Sequence, residues 1–416
     1  MASSSSSAPP PPWIILGRVA LVQHDTAPRE LYLAPVEPPR FSTLTVPVTV
    51  HPRPSRVEAD KHPYVVAAND AGLLLHVSRS PYVGFDLGNF PRGVLVVARA
   101  RDFLPADAAA GRAAPTCTAV RVPDRPRGLL HIFTIKSVGL LPLSSGEYVI
   151  AELMVASHAH LLIFRSDSNE WTEEAQLPCP FVSWPESGSW LYHDVVPHAG
   201  NLWWIDLAKG LLFCNPTDYH PTLRFVELPN MIQLKERAER LECIDSYRMV
   251  REIGGRLRFV DVARRPGIDS YADTMVVVWT LTVEMSSGEA SWERVMTSLA
   301  NIWEDESYRR TGMPEAIPEL ALMHPAKPDV VYFFLMHYLF GVDVRHGVVV
   351  DFARDSYADL VQPFYANPRP PINWRYVLTW VLPPSLLNAP GDEHHSSEGC
   401  QSSVTSSDLT DKNEST

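Results

Sequence analysis

His193, Asp194 and His198 place two imidazoles and a carboxylate close together, and His220 follows further on. A histidine beside an aspartate can ligate a metal or move a proton. The spacing is not that of a helical HExxH site. On a strand, where side chains alternate, His193 and His198 point to opposite faces. With no third ligand in view, the favoured reading makes His193 and Asp194 hydrogen-bonding groups at a turn or sheet edge. The competing reading is a polar site formed by His193, Asp194 and His198. Asp206 and Asp261 are a second carboxylate candidate. A paired-carboxylate mechanism needs its two groups roughly 5–10 Å apart in one cleft.

The setting of those aspartates argues for shape before chemistry. Gly200-Asn201-Leu202-Trp203-Trp204-Ile205-Asp206-Leu207 returns as Gly255-Arg256-Leu257-Arg258-Phe259-Val260-Asp261-Val262. Each copy has a turn glycine, an apolar run with an aromatic, an aspartate and an aliphatic. Recurrence at this scale marks similar sheet units, so Asp206 and Asp261 fall at equivalent points of separate units. Trp203, Trp204, Trp279 and Trp292 are read mainly as filling between packed sheets. The sequence has no GxSxG, GxxxxGK[ST] or GxGxxG pattern. No cofactor, metal or catalytic residue is expected.

The strands that would carry these residues are legible along much of the chain. Trp13 to Leu16, Tyr64 to Ala67 and Leu73 to Val77 read as strands, the last two joined by a turn at Asn69 to Gly72. Tyr82 to Leu87, Val94 to Ala100, Tyr148 to Val155, His160 to Phe164 and Trp171 to Leu177 follow. The middle continues with Tyr192 to Val196, Leu202 to Leu207, Leu211 to Cys214 and Leu223 to Leu228. Then come Arg256 to Val262, Thr274 to Glu284, Trp292 to Val295, Val330 to Met336, Tyr338 to Asp343 and Val348 to Phe352. Residues 36–63, with six prolines, predict a connection with at most short edge strands, and residues 102–128 a surface loop. Met231 to Leu241 has helical spacing after Asn230, which would cap it.

Three stretches carry a resemblance. They are Pro12-Trp13-Ile14-Ile15-Leu16-Gly17-Arg18-Val19, Tyr64 through Leu75, and Tyr192-His193-Asp194-Val195-Val196 through Gly200–Leu207 to Pro229. On these the chain resembles a plant family, found mainly in grasses, known as the domain of unknown function 1618. The named domain would cover about residues 190–330. The family has no assigned activity, so the resemblance carries over no catalytic residue. Its members look like the kelch-type propeller portions of plant F-box proteins. No F-box is visible here, which weighs against an adaptor role in ubiquitin ligation. Structural roles are expected for Trp13, His193, Asp194, Gly200, Trp203, Trp204, Asp206, Gly255 and Asp261.

Composition bounds the rest. The chain has 416 residues, 45% of them hydrophobic, and 38 prolines against 21 glycines. That much proline favours short strands and many turns. A net charge of −12 disfavours general binding to nucleic acid or to an anionic membrane surface. Five cysteines without a CxxC pair support neither a disulfide framework nor zinc, and fit reduced thiols in the cytoplasm or nucleus. The start has no secretory signal pattern; its serine-rich, acid-poor character leaves a chloroplast destination as the alternative.

The expected architecture is all-β: a β-propeller-like domain of six or seven blades over residues 13–385, or else two packed β-sandwiches. A leader at 1–12 and an acidic, serine-rich tail at 388–416 are expected to be disordered. The expected function is a non-enzymatic, monomeric protein-interaction scaffold. The alternative is a hydrolase or carbohydrate-binding propeller with a polar site in its central channel.

Overall fold

The computed structural model describes residues 11–23, 30–47, 63–78, 93–107, 114–126, 132, 134–156, 158–180, 189–229, 244–263, 273–283, 290–354 and 377–387. In chain order the strands begin with β1 (Trp13–Gly17), β2 (Leu21–Gln23), β3 (Leu31–Ala34), β4 (Phe41–Pro47), β5 (Tyr64–Asn69), β6 (Gly72–Ser78) and β7 (Gly93–Arg99). Next are β8 (Thr116–Cys117), β9 (Val120–Arg121), β10 (Val138–Pro142), β11 (Tyr148–Val155), β12 (Ala159–Arg165) and β13 (Glu170–Leu177). The middle holds β14 (Asp194–His198), β15 (Asn201–Asp206), β16 (Gly210–Cys214), β17 (Arg224–Glu227), β18 (Arg248–Ile253), β19 (Arg256–Ala263), β20 (Met275–Val283) and β21 (Ala290–Ser298). Two short helices, α1 (Leu299–Glu304) and α2 (Glu306–Arg309), precede β22 (Glu319–Met323), β23 (Val330–Leu335), β24 (Tyr338–Asp343), β25 (Val348–Arg354) and β26 (Val377–Val381). A last helical turn, α3, spans Pro384–Leu387.

These strands form six sheets. Blade 1 is β5-β6-β7-β9, blade 2 β10–β13, blade 3 β14–β17, blade 4 β18–β21 and blade 5 β22–β25. The sixth, closing blade runs β26-β1-β4-β3-β8, with β2 also on β4. The first strands β5, β10, β14, β18 and β22 lie side by side in that order, and β26 lies against both β22 and β5. The strands therefore close a ring of six blades, a β-propeller, rather than two sandwiches.

Ring formation follows from burial on both faces of each blade. A sheet with two apolar faces must cover both, and a ring gives each blade two neighbours. Every seam is filled by buried apolar side chains. Tyr64, Leu74, Leu140 and Phe164 pack between blades 1 and 2, and Val149, Leu161, Trp204 and Leu212 between 2 and 3. One continuous core with Trp203, Ile205, Phe259, Val278, Phe333 and Phe340 spans blades 3, 4 and 5. Ile15, Tyr332 and Val377 join blade 5 to the closing blade, which meets blade 1 through Leu16, Leu33, Leu75 and Trp380. Gly139 permits the approach of blade 2 to blade 3, because a Cβ there would lie 2.5 Å from Val195 Cγ1.

Two expectations need correction. Residues 36–63 were expected to hold at most edge strands, yet β4 is a seven-residue strand with neighbours on both sides. Its prolines are compatible because Pro47 ends the strand and Pro38 and Pro39 precede it. Residues 102–128 were expected to form a surface loop, yet they supply β8 and β9. The chain leaves blade 1 after β7, adds β8 to the closing blade beside β3, and returns with β9 beside β7. This detour stitches the closing blade to its neighbour. The expected strand Tyr82–Leu87, the helix Met231–Leu241 and most of both termini lie outside the described residues.

His76 on β6 is fully buried, and burial pushes its pKa down to about 3. The unfolded chain therefore binds a proton that the folded chain refuses between pH 6.5 and about 3. Stability attributable to His76 is whole above pH 6.5 and falls as the pH drops through that window. Urea melts from pH 7 to pH 4 are expected to show this loss, with a shallower slope in His76→Leu. An identical slope in the variant refutes the assignment.

Candidate functional site

The polar group nearest the ring axis is built from four blades and the segment after β1. Arg18 follows β1 directly, and its guanidinium donates to the carbonyls of Val377 on β26 (3.2 Å) and of Val65 and Val66 on β5 (3.3 and 3.1 Å). It also lies 3.7 Å from Asp194 Oδ2 on β14, across the ring. A side chain can reach the first strands of two adjacent blades and of a third across the ring only from the axis. Arg251 on β18 comes to the same carboxylate at 2.6 Å. Tyr64 lies beneath Arg18, with its ring centroid 5.7 Å from the guanidinium carbon. Burial pulls the Arg251 pKa below its ordinary value, and Asp194 opposes that pull. Asp194 and Arg251 keep 17% and 19% side-chain exposure, so the cluster borders the channel and is not sealed from it.

The three residues of the competing polar-site reading do not converge. His193 is buried and turned into the blade: its Nδ1 accepts the Leu207 N–H at 3.2 Å, and its own N–H donates to Ile205 O. An accepting Nδ1 carries no proton. Asp194 is on the opposite face, towards Arg251. His198 closes β14 on the Asp194 side, its carbonyl taking the Trp203 indole N–H. Burial lowers the His198 pKa, and Glu252 raises it. His220 is remote and packs its ring on Tyr219. Among the described residues no three His, Cys, Asp or Glu side chains stand close enough to hold a metal ion.

Asp206 and Asp261 occupy one repeat position and are fixed in different ways. Asp206, fully buried at the end of β15, accepts the N–H groups of Leu191 and Ala208, both at 2.9 Å. Burial raises its pKa, with Lys209 opposing. Asp261 makes a two-pronged pair with Arg248, both contacts at 3.0 Å, and Arg248 also donates to Leu207 O in blade 3. Gly200 and Gly255 begin the two copies at φ 73° and 77°, a left-handed turn that glycine adopts without strain.

Blade 2 carries a third copy that the sequence analysis missed. Gly146-Glu147-Tyr148-Val149-Ile150-Ala151-Glu152-Leu153 has the same order, with glutamate for aspartate. Gly146 has φ 77°, and the fully buried Glu152 accepts from Ser137 Oγ (3.0 Å) and pairs with Arg125 (2.7 Å). Allowing Glu at the acidic position would have revealed it. Arg18 and Arg251 had no such signal, because their partners are distant in sequence.

The aromatic candidates sit in seams. Trp203 stacks on Phe213 with centroids 3.8 Å apart, and Trp204 donates to Ser137 O across the seam at 2.8 Å. Trp13 packs 4.7 Å from the His324 ring, where the closing blade meets blade 5.

Two stability outcomes follow. Arg18→Met strands three carbonyls and is expected to cost about 3–5 kcal/mol in urea denaturation. A loss below 1 kcal/mol would remove Arg18 from the closure. Arg248→Met and Asp261→Leu are each expected to be strongly destabilising, while the double variant loses less than the sum of the singles, since neither charge is left alone. Additive losses in that cycle would mean that the pair is not coupled.

Residues 204–332 match the model of a family described as protein of unknown function (DUF1618), less than half of the chain. The match starts inside β15 and ends inside β23, so it cuts through blades 3 and 5 and is no separate folding unit. Comparison with curated proteins gives no match. Among solved structures the chain matches the β-propeller domain of Myceliophteria thermophila Cps50 (Swd1). Identity is 12% over 70% of this chain and 87% of that one, and the TM-score is 0.29. A likeness that distant carries no weight beside the ring itself, and the family match is confined to residues 204–332.

Proposed function

We propose that the protein is a non-enzymatic interaction scaffold that presents turns and loops of a rigid propeller ring to protein partners. The observation that carries this reading is the use of its chemistry-bearing side chains. His193, Asp206, Asp261 and Glu152 are buried and bonded to the frame rather than aimed at a common point. What remains outward is turn surface with large apolar groups: Tyr219 is 88% exposed and Met336 64%. Exposed aromatic and methionine side chains on a fixed frame are typical anchors for partner proteins. No helix among the described residues is long and apolar enough to cross a membrane. A monomer in the cytoplasm or nucleus of a plant cell, with the kelch-like character of the resemblance, fits this proposal.

The second reading is a hydrolase or carbohydrate binder using the channel. The partial exposure of Asp194 and Arg251 at the axis favours it.

Two measurements separate the readings. Affinity purification of the tagged protein is expected to yield a partner of fixed stoichiometry that is lost on Tyr219→Asp or Met336→Asp, with the melting temperature unchanged. A monomer with nothing bound refutes the scaffold. His193→Ala is expected to cost about 1–3 kcal/mol, because the buried Leu207 N–H loses its acceptor. Loss of a bound sugar in Asp194→Asn, with the variant still folded, would favour the channel reading instead.

A further inference from the structure

A cluster of arginines lies where blades 4 and 5 meet. In an up-and-down blade the turns between first and second strands and between third and fourth strands share one end of the ring. Arg256 and Arg258 open β19 at that end, two residues apart and so on one side of the strand. Arg345 stands in the turn between β24 and β25, and Asp329 in the loop entering β23. Asp329 bridges the two blades, with Oδ2 2.7 Å from Arg345 Nε and Oδ1 3.7 Å from Arg258 Nη1. Arg258 Nη1 also donates to Thr280 Oγ1 at 2.9 Å, and its Nε has no hydrogen-bond acceptor among the described residues.

Two guanidiniums thus share one carboxylate, and Arg256 adds a third cation that acts on Arg258. The other acids of these turns are already engaged. Asp343 accepts the Arg345 and His346 N–H groups and faces His346 Nδ1, and Glu252 accepts the Gly255 N–H. Burial lowers the Arg258 pKa; Asp329 raises it, and Arg256 and Arg345 lower it further, so the three cations repel one another within one local field. Arg256 and Arg345 are exposed, and Lys327 in the Asp329 loop adds another exposed cation. Such a concentration is out of keeping with a chain of net charge −12.

We infer that this arginine cluster at the junction of blades 4 and 5 binds a phosphoryl dianion, with Arg256 and Arg345 as its principal donors above Arg258. The planar guanidinium fork matches the oxygens of a phosphoryl group and offers paired N–H donors. The acidic whole repels a long polyanion such as nucleic acid, whereas a single phosphoryl group needs only the local field. The site stands independently of the scaffold reading, because free phosphate can occupy it with no protein partner.

The test is calorimetric titration of the full chain at low ionic strength. The probes are inorganic phosphate and a short phosphoserine peptide, with the peptide's unphosphorylated and glutamate forms as controls. Saturable binding is expected, on the order of tenfold weaker in the double variant Arg256→Gln/Arg345→Gln. The variant's urea midpoint checks its folding, and Arg224→Gln, an exposed arginine of blade 3, serves as a control that should bind as the parent does. Tighter binding of the phosphopeptide than of phosphate assigns the group to a modified side chain of a partner, and the reverse assigns it to the free anion. No saturable binding of either probe, undiminished affinity in the folded double variant, or equal binding of the glutamate peptide overturns the inference. A missing partner in affinity purification would leave it standing, so the two failures are distinguishable.

Discussion

The antiparallel ladder between Trp13–Gly17 and Val377–Val381 is the contact on which the ring depends. It joins opposite ends of the described chain, so its formation closes the largest loop the molecule contains. Loop-closure entropy grows only slowly with length, and one five-residue ladder backed by buried seams is enough to offset it. Without it, the closing blade would lack its innermost strand and leave open edges next to two apolar faces, the arrangement that invites edge-to-edge association. Arg18 extends the same closure to the axis, and β8 repeats it at the rim.

The polar interior serves the same end. At one position of the repeat the chain buries a carboxylate in three successive blades and satisfies it in three ways: a serine and an arginine, two backbone N–H groups and a lysine, and a two-pronged arginine. A buried carboxylate is costly unless fully bonded, so its recurrence on the second strand of each blade ties that strand to the partners that satisfy it. Arg248 reaching Leu207 O and Trp204 reaching Ser137 O show the second benefit: the same bonds cross from blade to blade and set the spacing between neighbours. Side chains committed in this way are poor catalysts, because their lone pairs and protons are already taken.

The proposed function accordingly lies at the surface. The frame holds its turns in place, and those turns carry exposed Tyr219 and a gathering of arginines at one end of the ring and exposed Met336 at the other. These features need no pocket and leave no motif.

By itself the sequence determined the local grammar: alternating apolar strands, glycine turns at Gly200 and Gly255, and proline-limited strand lengths, because these rest on backbone sterics and neighbours a few residues away. All four strands of blade 3 and the outer three of blades 2, 4 and 5 were legible for that reason, as was the equivalence of Asp206 and Asp261; the innermost strands β10, β18 and β22 were not. Tertiary structure alone decided the number of blades, the central place of β4, the detour through β8 and the pairing of β1 with β26. It also decided that Arg18, Asp194 and Arg251 meet at the axis while His193 turns away from Asp194. Each of these is a contact between residues far apart in the chain, and spacing along a sequence carries no information about which distant strands a ring will bring together.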